Sequence, residues 1–352
     1  MVLGAVMRWR LHRFTLTKDV PLTISRGTTA AVEHLLLELE SGGCSGWGET
    51  GGFDTGQRHV TTSALEAELR QWLPALEGLE LPAPAAWPAL LAPLSAPARC
   101  AVDLALHDCW GQQLGHPLWR LWGLDRSSCR PTSVTLGLSS IDQMHQRLAR
   151  WRSRLPATRV KLKLGSPDGL DHDRSLVEAL MPQLQGAELQ VDANGGWSLE
   201  GAQQMVPWLA ERGVVLVEQP LAAADGDEQG FAALQGLAPI PLVADESCWG
   251  VEDLLRLAPH VQGVNLKLLK TGGLSEAWLM ARLARRLGLQ LMLGCYSDSA
   301  LLNGAAAQLL PLVEWPDLDS HLNLADDPFC GPLLEGDLLQ PGPGAGLGVS
   351  RC

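Results

Sequence analysis

Short apolar runs that end in charged residues recur through the second half of the chain. Five of them occupy residues 159–165, 188–194, 214–220, 241–247 and 262–267. The acids Asp192, Glu218 and Asp245 lie near the ends of three of these runs, at intervals of 26 and 27 residues. An interval of that size accommodates one strand, one helix and two loops. The pattern therefore predicts parallel strands joined by helices.

Three further apolar runs complete a set of eight predicted strands. Residues 132–138 precede the five runs, and residues 289–295 and 312–319 follow them. The segments between the runs have helical composition, as at Met205 and Leu209. Repeated strand–helix units of this kind predict a TIM-type barrel, whose active site lies at the carboxyl ends of its strands.

The amino-terminal part of the chain follows a different order. Two runs with β-branched and aromatic residues, 9–16 and 30–39, predict strands, and the polar segment 21–29 between them predicts a loop. The helices that follow give this part an α+β order, which favours a separate domain. We therefore predict an α+β domain at 1–125, a barrel at 126–323 and a carboxyl-terminal segment at 324–352 that returns to the first domain.

Composition excludes several classes of protein. With 352 residues, 46% of them hydrophobic, the chain can form a barrel and a smaller domain. A net charge of −12 disfavours nucleic-acid binding. No apolar run reaches the ~18–20 residues of a membrane span, and no signal-peptide pattern is evident. Eight cysteines without a CxxC motif predict reduced thiols in a cytoplasmic protein, and a homo-oligomer is compatible with the sequence.

Three of the predicted strands deliver acids to the same rim of the barrel. Asp192, Glu218 and Asp245 follow consecutive strands, so their carboxylates are expected to lie close together. Mg²⁺ prefers carboxylate and water oxygens as ligands. Repulsion among three clustered acids would raise their pKa values unless a cation offset it. The pattern therefore predicts a magnesium site, whereas a single acid there would more simply cap a loop or form an ion pair.

Lysines end the second and sixth predicted strands, which lie opposite each other in a ring of eight. Lys163 and Lys267 would therefore flank a bound substrate from two sides. Lys161 points the same way as Lys163, and its charge would lower the pKa of Lys163 towards about 7. One lysine could remove an α-proton beside a carboxylate while the other returns a proton to the opposite face, and a divalent cation would stabilise the enediolate. This arrangement predicts a racemase or an epimerase.

Together these motifs resemble the muconate-lactonizing subgroup of the enolase superfamily. The matching elements are Lys161-Leu162-Lys163, Asp192-Ala193-Asn194, Glu218-Gln219-Pro220, Asp245-Glu246-Ser247 and the lysine–glycine motif at 267–273. Residues 101–108 and 115–118 resemble the capping domain of that family. The resemblance covers nearly the whole chain, and it implies a (β/α)₇β barrel under an α+β capping domain, with lysine bases and Mg²⁺.

The same resemblance implies a dipeptide substrate. Asp317 and Asp319 resemble the Asp-x-Asp pair with which dipeptide epimerases bind the α-ammonium group, and two carboxylates at the end of the eighth strand also suit a cation on physical grounds. Arg26 lies in a segment that resembles the loop of L-Ala-D/L-Glu epimerases whose arginine meets the glutamate side chain. Asp298 and Tyr296 replace the family's usual Glu and Met, which implies a changed pocket.

We therefore predict an isomerase, a Mg²⁺-dependent dipeptide epimerase that favours L-Ala-D/L-Glu. The predicted catalytic residues are Lys163 and Lys267, the metal ligands Asp192, Glu218 and Asp245, and the substrate-binding residues Arg26, Lys161, Asp298, Asp317 and Asp319. The alternative enzymes are an N-acylamino acid racemase, an o-succinylbenzoate synthase and a muconate cycloisomerase, none of which needs an ammonium site. A barrel that binds metal and ligand without turnover is the non-enzyme alternative, and the two lysines with three acids disfavour it.

Overall fold

The computed structural model describes residues 6–224 and 226–352. Its amino-terminal part contains an antiparallel sheet. Its strands are β1 (Arg8–Ile24), β2 (Gly27–Ser41) and β3 (Cys44–Gly51), followed by a small hairpin of β4 (Phe53–Asp54) and β5 (His59–Val60). The helices of this part are α1 (Thr62–Trp72), α2 (Trp87–Leu91), α3 (Ala96–Leu114) and α4 (Leu118–Leu121). Alternate leucines of β2, Leu35, Leu37 and Leu39, share one apolar core with α1 and α3. Residues 1–5 of the predicted first domain lie outside the described part of the chain.

The predicted loop at 21–29 is wrong, because β1 and β2 continue almost to the tip of their hairpin and only a two-residue turn separates them. β-branched residues favour the extended chain here, and the hydroxyls of Thr23 and Thr28 lie 2.8 Å apart across the hairpin. The carbonyl of Thr23 accepts a hydrogen bond from Leu138 N at 2.8 Å. This contact fixes the hairpin tip, with Arg26 in its turn, at the mouth of the barrel.

Eight parallel strands form the second part of the fold, paired in the order in which they occur along the chain. They are β6 (Val134–Leu136), β7 (Arg159–Lys163), β8 (Glu188–Asp192), β9 (Leu216–Glu218), β10 (Leu242–Ala244), β11 (Gly263–Leu266), β12 (Gln290–Gly294) and β13 (Trp315–Asp317). Ser133 N donates to Pro316 O at 2.9 Å, which joins the first strand to the last. Each observed strand lies within a predicted apolar run, and the predicted barrel is confirmed.

Helices cover the outside of this barrel between consecutive strands. They are α5 (Ile141–Arg152), α6 (Leu170–Leu180), α7 (Leu199–Glu211), α8 (Glu228–Leu234), α9 (Val251–Leu257), α10 (Leu268–Thr271), α11 (Leu274–Arg286) and α12 (Ala300–Ala307). Their apolar faces and the strands form one large core. In the described ranges, none of the helices combines the length and apolarity that a bilayer span requires.

Helix α3 joins the capping domain to the barrel. Gly48 lets it pack directly on β3, because a Cβ at this position would lie 1.8 Å from Ala101 O. On the barrel side, Asp103 accepts hydrogen bonds from the backbone N–H groups of Leu274 and Ser275, at 2.6 and 3.1 Å. These are first-turn donors of α11 that have no partner within their own helix. One helix therefore fixes the cap over the carboxyl ends of the barrel strands.

The carboxyl-terminal segment contacts the capping domain again. Its strands are β14 (Phe329–Cys330), β15 (Leu333–Glu335), β16 (Leu338–Gln340) and β17 (Ser350–Arg351). Leu347 N donates to Asp108 Oδ1 at 2.9 Å, and the backbone groups of Gly346 bond to His116 and Leu118. The boundaries proposed from the sequence, after residues 125 and 323, stay a prediction.

The prediction that all cysteines are reduced is wrong for one pair. Cys330 and Cys352 form a disulfide with a Cα–Cα distance of 5.4 Å, and the other six cysteines are free. The two sulfurs meet because β14 and β17 pair antiparallel at the end of the chain. That pairing depends on contacts remote in sequence, so the cysteine spacing alone did not reveal it.

Candidate active site

The register of the barrel strands brings the predicted residues side by side. Lys163, Asp192 and Glu218 end β7, β8 and β9, and neighbouring members of this row are directly paired in the parallel ladder. Asp245 comes immediately after β10, and Lys267 immediately after β11. Because the strands are parallel, all five side chains lie at the same rim.

Three carboxylates form a buried cluster at this rim. One oxygen from each of Asp192, Glu218 and Asp245 lies within 4.8 Å of the other two, and none of the three residues is more than 1% exposed. Burial and then the negative charge of Asp192 raise the pKa of Glu218 to about 8. A divalent cation among these oxygens would offset the repulsion that raises this pKa, and hard oxygen donors are the ligands that Mg²⁺ prefers. The residues present therefore fit magnesium.

Two lysines lie beside the cluster. Lys163 Nζ is 2.5 Å from Asp192 Oδ2, and Lys267 Nζ is 2.7 Å from Asp245 Oδ2. Burial alone would lower the pKa of Lys267, but the charge of Asp245 together with the charges of Glu246 and Glu218 raises this pKa well above its ordinary value. Both lysines line one cavity of about 480 Å³ between the capping sheet and the barrel. Because β7 and β11 are four strands apart in the barrel, the two amines reach this cavity from opposite sides.

Lys161 is fully buried, and among the described residues the cavity lining does not include it, so its predicted contact with substrate stays a prediction. Its Nζ lies 2.5 Å from Glu218 Oε2, 2.6 Å from Asp317 Oδ2 and 3.3 Å from Asp192 Oδ2. Burial would lower the pKa of Lys161, but Asp317 and Glu218 raise it well above its ordinary value. Asp317 also accepts a hydrogen bond from Ser133 Oγ at 2.6 Å, so both of its oxygens have partners. These acids offset the charge of Lys161, which leaves little net repulsion for a neighbouring amine.

The other two predicted substrate-binding acids lie beside the ends of β12 and β13. Asp319 accepts a hydrogen bond from Thr135 N at 2.6 Å, and Asp298 accepts one from Tyr296 N at 3.1 Å. Burial raises the pKa of both acids, that of Asp298 to about 6. Among the described residues, the cavity lining includes neither Asp298, Asp317 nor Asp319. Their contact with substrate stays a prediction.

Arg26 reaches from the hairpin tip to the barrel. Its guanidinium donates to Asn194 O at 3.1 Å and to Glu246 Oε1 at 3.3 Å. Glu246 Oε1 also accepts a hydrogen bond from Asn194 Nδ2 at 3.3 Å. The side chain of Arg26 lines the cavity beside Leu22 and Phe53. Arg26 therefore lies over the cavity with an acidic residue of the barrel as its partner, and its predicted contact with the substrate stays a prediction.

Lys270 belongs to the site, although the sequence did not predict a role for it. Its Nζ donates to the side chain and the carbonyl of Asp245, both at 2.6 Å, and to Asn265 O at 2.9 Å. Asn265 in turn donates to Glu218 Oε1 at 2.7 Å. A lysine directly after the apolar pair Leu268 and Leu269, and one helical turn beyond Lys267, was the signal that could have identified this group.

Gln219 also supports the cluster, although the sequence identified it only as part of a motif. Its side-chain oxygen accepts hydrogen bonds from Asp245 N at 2.9 Å and Ser247 N at 3.2 Å. Its amide nitrogen donates to Ser247 Oγ at 2.7 Å and to Leu221 O at 2.8 Å. One fully buried amide therefore fixes the chain that carries Asp245 relative to the chain that carries Glu218.

Comparisons with known proteins agree with this geometry. Residues 143–350 match the enolase C-terminal domain-like family, and residues 10–123 match the N-terminal domain of the mandelate racemase / muconate lactonizing enzyme family. The chain is 37% identical over 341 residues to a hydrophobic dipeptide epimerase of Flavobacteria bacterium (strain MS024-2A), covering 95% of this chain and 96% of that protein. It is 38% identical over 347 residues to a hydrophobic dipeptide epimerase of Roseobacter litoralis, covering 97% and 98%. A dipeptide epimerase from Enterococcus faecalis V583, solved in complex with Mg and the dipeptide L-Leu-L-Tyr, has a TM-score of 0.89 at 27% identity, covering 99% of this chain and 100% of that one.

Proposed function

The chain belongs to the mandelate racemase / muconate lactonizing enzyme family of the enolase superfamily, and from that premise we propose that its cavity epimerises dipeptides at the α-carbon of the second residue. The protein is an isomerase that uses Mg²⁺. One observation carries the proposal: Lys163 and Lys267 enter a single cavity from opposite strands, and each contacts an acid of the buried cluster. The alternative enzymes are disfavoured, since the closely related proteins are dipeptide epimerases.

Each lysine serves one face of the α-carbon. In one direction Lys163 takes the α-proton and Lys267 donates a proton to the opposite face, and in the reverse direction the roles exchange. Asp192 and Asp245 orient the two amines through the contacts described above. When Mg²⁺ is bound by the three acids, it supplies positive charge to the substrate carboxylate as negative charge develops there.

Incubation with Mg²⁺ and a dipeptide library in D₂O tests this function. We expect α-deuterium in the second residue together with inversion at that carbon. Lys163→Ala and Lys267→Ala should each abolish epimerisation, while each variant still exchanges the α-proton of one epimer through the remaining lysine. Absence of exchange with every dipeptide would end the epimerase proposal, and full activity in both variants would end the two-base mechanism.

Asp319 is the better candidate for holding the substrate ammonium group, because both oxygens of Asp317 already have partners. Asp319→Asn should raise KM for free dipeptides, since the amide removes a negative charge from the ammonium site. N-acylated analogues carry no ammonium group and should show no such change. An equal rise of KM for both kinds of substrate would remove this role from Asp319.

The preferred second side chain has two candidates. Arg26 in the cavity supports L-Ala-D/L-Glu, the substrate favoured by the sequence. An apolar side chain is supported by a specific observation: Glu246 lies 3.3 Å from the guanidinium of Arg26 and offsets its charge. The neighbouring wall is also apolar, with Leu22, Ile24 and Phe53. The geometry supports the apolar candidate better, because a substrate carboxylate would meet Glu246 beside Arg26.

Arg26→Leu separates these candidates when L-Ala-L-Glu and L-Ala-L-Leu are compared. If Arg26 binds the glutamate side chain, kcat/KM for L-Ala-L-Glu should fall roughly 30-fold or more, as expected when a charge pair loses one partner. If the second side chain is apolar, L-Ala-L-Leu should be the better substrate of the wild type and should keep its kcat/KM in the variant. A large loss for L-Ala-L-Leu alone would contradict both.

A further inference from the structure

The aromatic ring of Tyr296 lies between the capping domain and Lys267. It stacks on Phe53 of β4, with ring centroids 4.4 Å apart and an interplanar angle of 5°. Lys267 Nζ lies 4.6 Å from the centroid of the same ring. An ammonium group at this distance is attracted by the negative face of an aromatic ring. Tyr296 therefore connects a cap residue to an amine that lines the cavity.

A glycine before the tyrosine allows this approach. Tyr296 follows β12, which pairs with β11, and Lys267 follows β11. A Cβ at Gly294 would lie 3.1 Å from Lys267 Cε and 2.7 Å from the side chain of Asn265. The chain that leads to Tyr296 consequently passes close beside the lysine stem, and the ring reaches the ammonium group of Lys267.

The hydroxyl of Tyr296 is buried and has no hydrogen-bond partner among the described residues. Burial raises the pKa of the phenol well above its ordinary value, so the group is a neutral donor. A buried hydroxyl without a partner is unfavourable, because it has lost its hydrogen bonds to water and gained none in the protein. Tyr296 lines the same cavity as Lys163 and Lys267, so a ligand there can supply the missing acceptor.

We propose that Tyr296 is a positioning and specificity-determining residue: its ring holds the ammonium group of Lys267 in place, and its hydroxyl donates a hydrogen bond to a carbonyl or carboxylate oxygen of the bound dipeptide. This inference rests on the proposed epimerase function and adds a contact to it. The methionine that is usual at this position in the family has no donor, because a thioether is only a weak acceptor.

The hydroxyl contact can be observed directly, because Tyr296 is the only tyrosine in the chain. Protein labelled with 3-fluorotyrosine gives a single ¹⁹F resonance that needs no assignment. We expect this resonance to move when L-Ala-L-Leu or L-Ala-L-Glu is added to the Mg²⁺-loaded protein, with a midpoint that follows KM. A resonance that stays unchanged at saturation with the better substrate would overturn the hydroxyl contact.

Two variants separate the hydroxyl from the ring. Tyr296→Phe keeps the ring, so KM should rise about tenfold, which corresponds to one lost hydrogen bond, while kcat stays within about twofold. Tyr296→Leu also removes the ring, so α-proton exchange in D₂O should slow about tenfold for one epimer only. That epimer is identified independently, as the one whose exchange is lost in Lys267→Ala.

The outcomes distinguish this inference from the proposed function. If the wild type epimerises dipeptides but Tyr296→Phe has a wild-type KM and Tyr296→Leu slows both epimers equally, only the role of Tyr296 is overturned. If the wild type turns over no dipeptide, the proposed function and this inference fail together. Unfolding midpoints of both variants close to that of the wild type show that neither result comes from a damaged fold.

Discussion

Each buried charge at the barrel rim is held in place by partners from neighbouring strands. Three side chains contact Asp245. Lys267 and Lys270 pair with its carboxylate, and the side-chain oxygen of Gln219 accepts a hydrogen bond from its backbone N–H. Lysine is normally kept at the surface, so a lysine as fully buried as Lys270 is tolerated only when it is paired and hydrogen-bonded. The position of this predicted metal ligand is therefore set by residues outside the acidic cluster.

Replacing Lys270 with methionine should destabilise the protein strongly. The variant keeps the volume of the side chain but leaves a carboxylate oxygen of Asp245 and the carbonyl of Asn265 without their donor. Removing one partner of a buried ion pair typically lowers the free energy of unfolding by about 3–5 kcal/mol. Urea denaturation followed by circular dichroism measures this loss.

An exposed ion pair provides the matched control for Lys270→Met. Arg70 is 62% exposed and pairs with Glu66 within α1. Arg70→Met should leave the unfolding midpoint in urea unchanged within error, because solvent screens such a pair. Equal midpoints for Lys270→Met and the wild type would show that the buried contacts of Lys270 carry no net stability.

At the scale of whole elements, helix α3 is the connection on which the closed cavity depends. The carboxylate of Asp103 accepts a hydrogen bond from the first turn of α11. The carboxylate of Asp108 accepts hydrogen bonds from Trp47 N of β3 and from Leu347 N of the carboxyl-terminal segment. The cap can therefore hold Arg26 and Phe53 over the barrel only as long as α3 keeps its place.

The contribution of Asp103 should depend on pH in a defined direction. Burial alone would raise the pKa of Asp103, but the charge of His107 and the hydrogen bonds from His107 and Ser275 outweigh burial and lower this pKa. A carboxyl group whose pKa is lowered by folding stabilises the protein at pH values above its unfolded pKa of 3.8. This stabilisation is lost as the pH falls through the pKa of the folded state. At pH 7 the free energy of unfolding of the wild type should therefore exceed that of Asp103→Asn by about 2 kcal/mol, because the variant loses hydrogen bonds to a charged group.

Measurement of both proteins in urea between pH 7 and pH 3 tests this direction. The difference in the free energy of unfolding should shrink once the pH falls below about 4. Asp171→Asn is the control, because its carboxylate is 96% exposed and the variant should match the wild type throughout. A difference that grows towards low pH would contradict the assignment.

The barrel could be predicted from the sequence because the residues that specify each of its strands are adjacent in the chain. Each strand is a short apolar run, and its terminal polar residue marks the rim, so the row from Lys163 to Asp245 followed from spacing. The hairpin tip at 21–29 could not be predicted in this way, since its polar composition suggested a loop while its β-branched residues favour strands. The burial of Lys161 could not be predicted either, because alternation along a strand gives the direction of a side chain but not its depth.

At the scale of the whole molecule, the barrel, the cap and the carboxyl-terminal segment are joined through contacts remote in sequence. Gln308 of the barrel donates to Leu347 O at 2.8 Å, and Leu347 N donates to Asp108 of the cap. The disulfide between Cys330 and Cys352 belongs to the same group of contacts. No periodicity in the sequence encodes such pairs, so composition alone predicted eight reduced thiols.

Magnesium should stabilise the whole fold, because the three acids are brought together only when the barrel is formed. A ligand at about 100 times its Kd adds about 2.7 kcal/mol to the free energy of unfolding. Differential scanning calorimetry should show a higher Tm in Mg²⁺ than in EDTA, and EDTA should abolish epimerisation. Asp245→Asn should lose this rise in Tm, whereas Asp108→Asn, a buried acid outside the site, should keep it. A rise in Asp245→Asn equal to that of the wild type would place the bound cation elsewhere.

The disulfide makes the thiol content of the chain a test of its carboxyl-terminal fold. In denaturant without reductant, six of the eight cysteines should react with a thiol reagent, and all eight should react after reduction. Cys352→Ser should raise the unreduced count by one, because it frees Cys330, and Cys44→Ser should lower it by one. Cys330 and Cys352 are 22 residues apart in sequence. Closing a loop of this length stabilises a fold by about 3 kcal/mol in the chain-entropy model. Reduction should therefore also lower the Tm of the wild type but not that of Cys352→Ser. Eight reactive thiols before reduction would show that β14 and β17 pair without a covalent link.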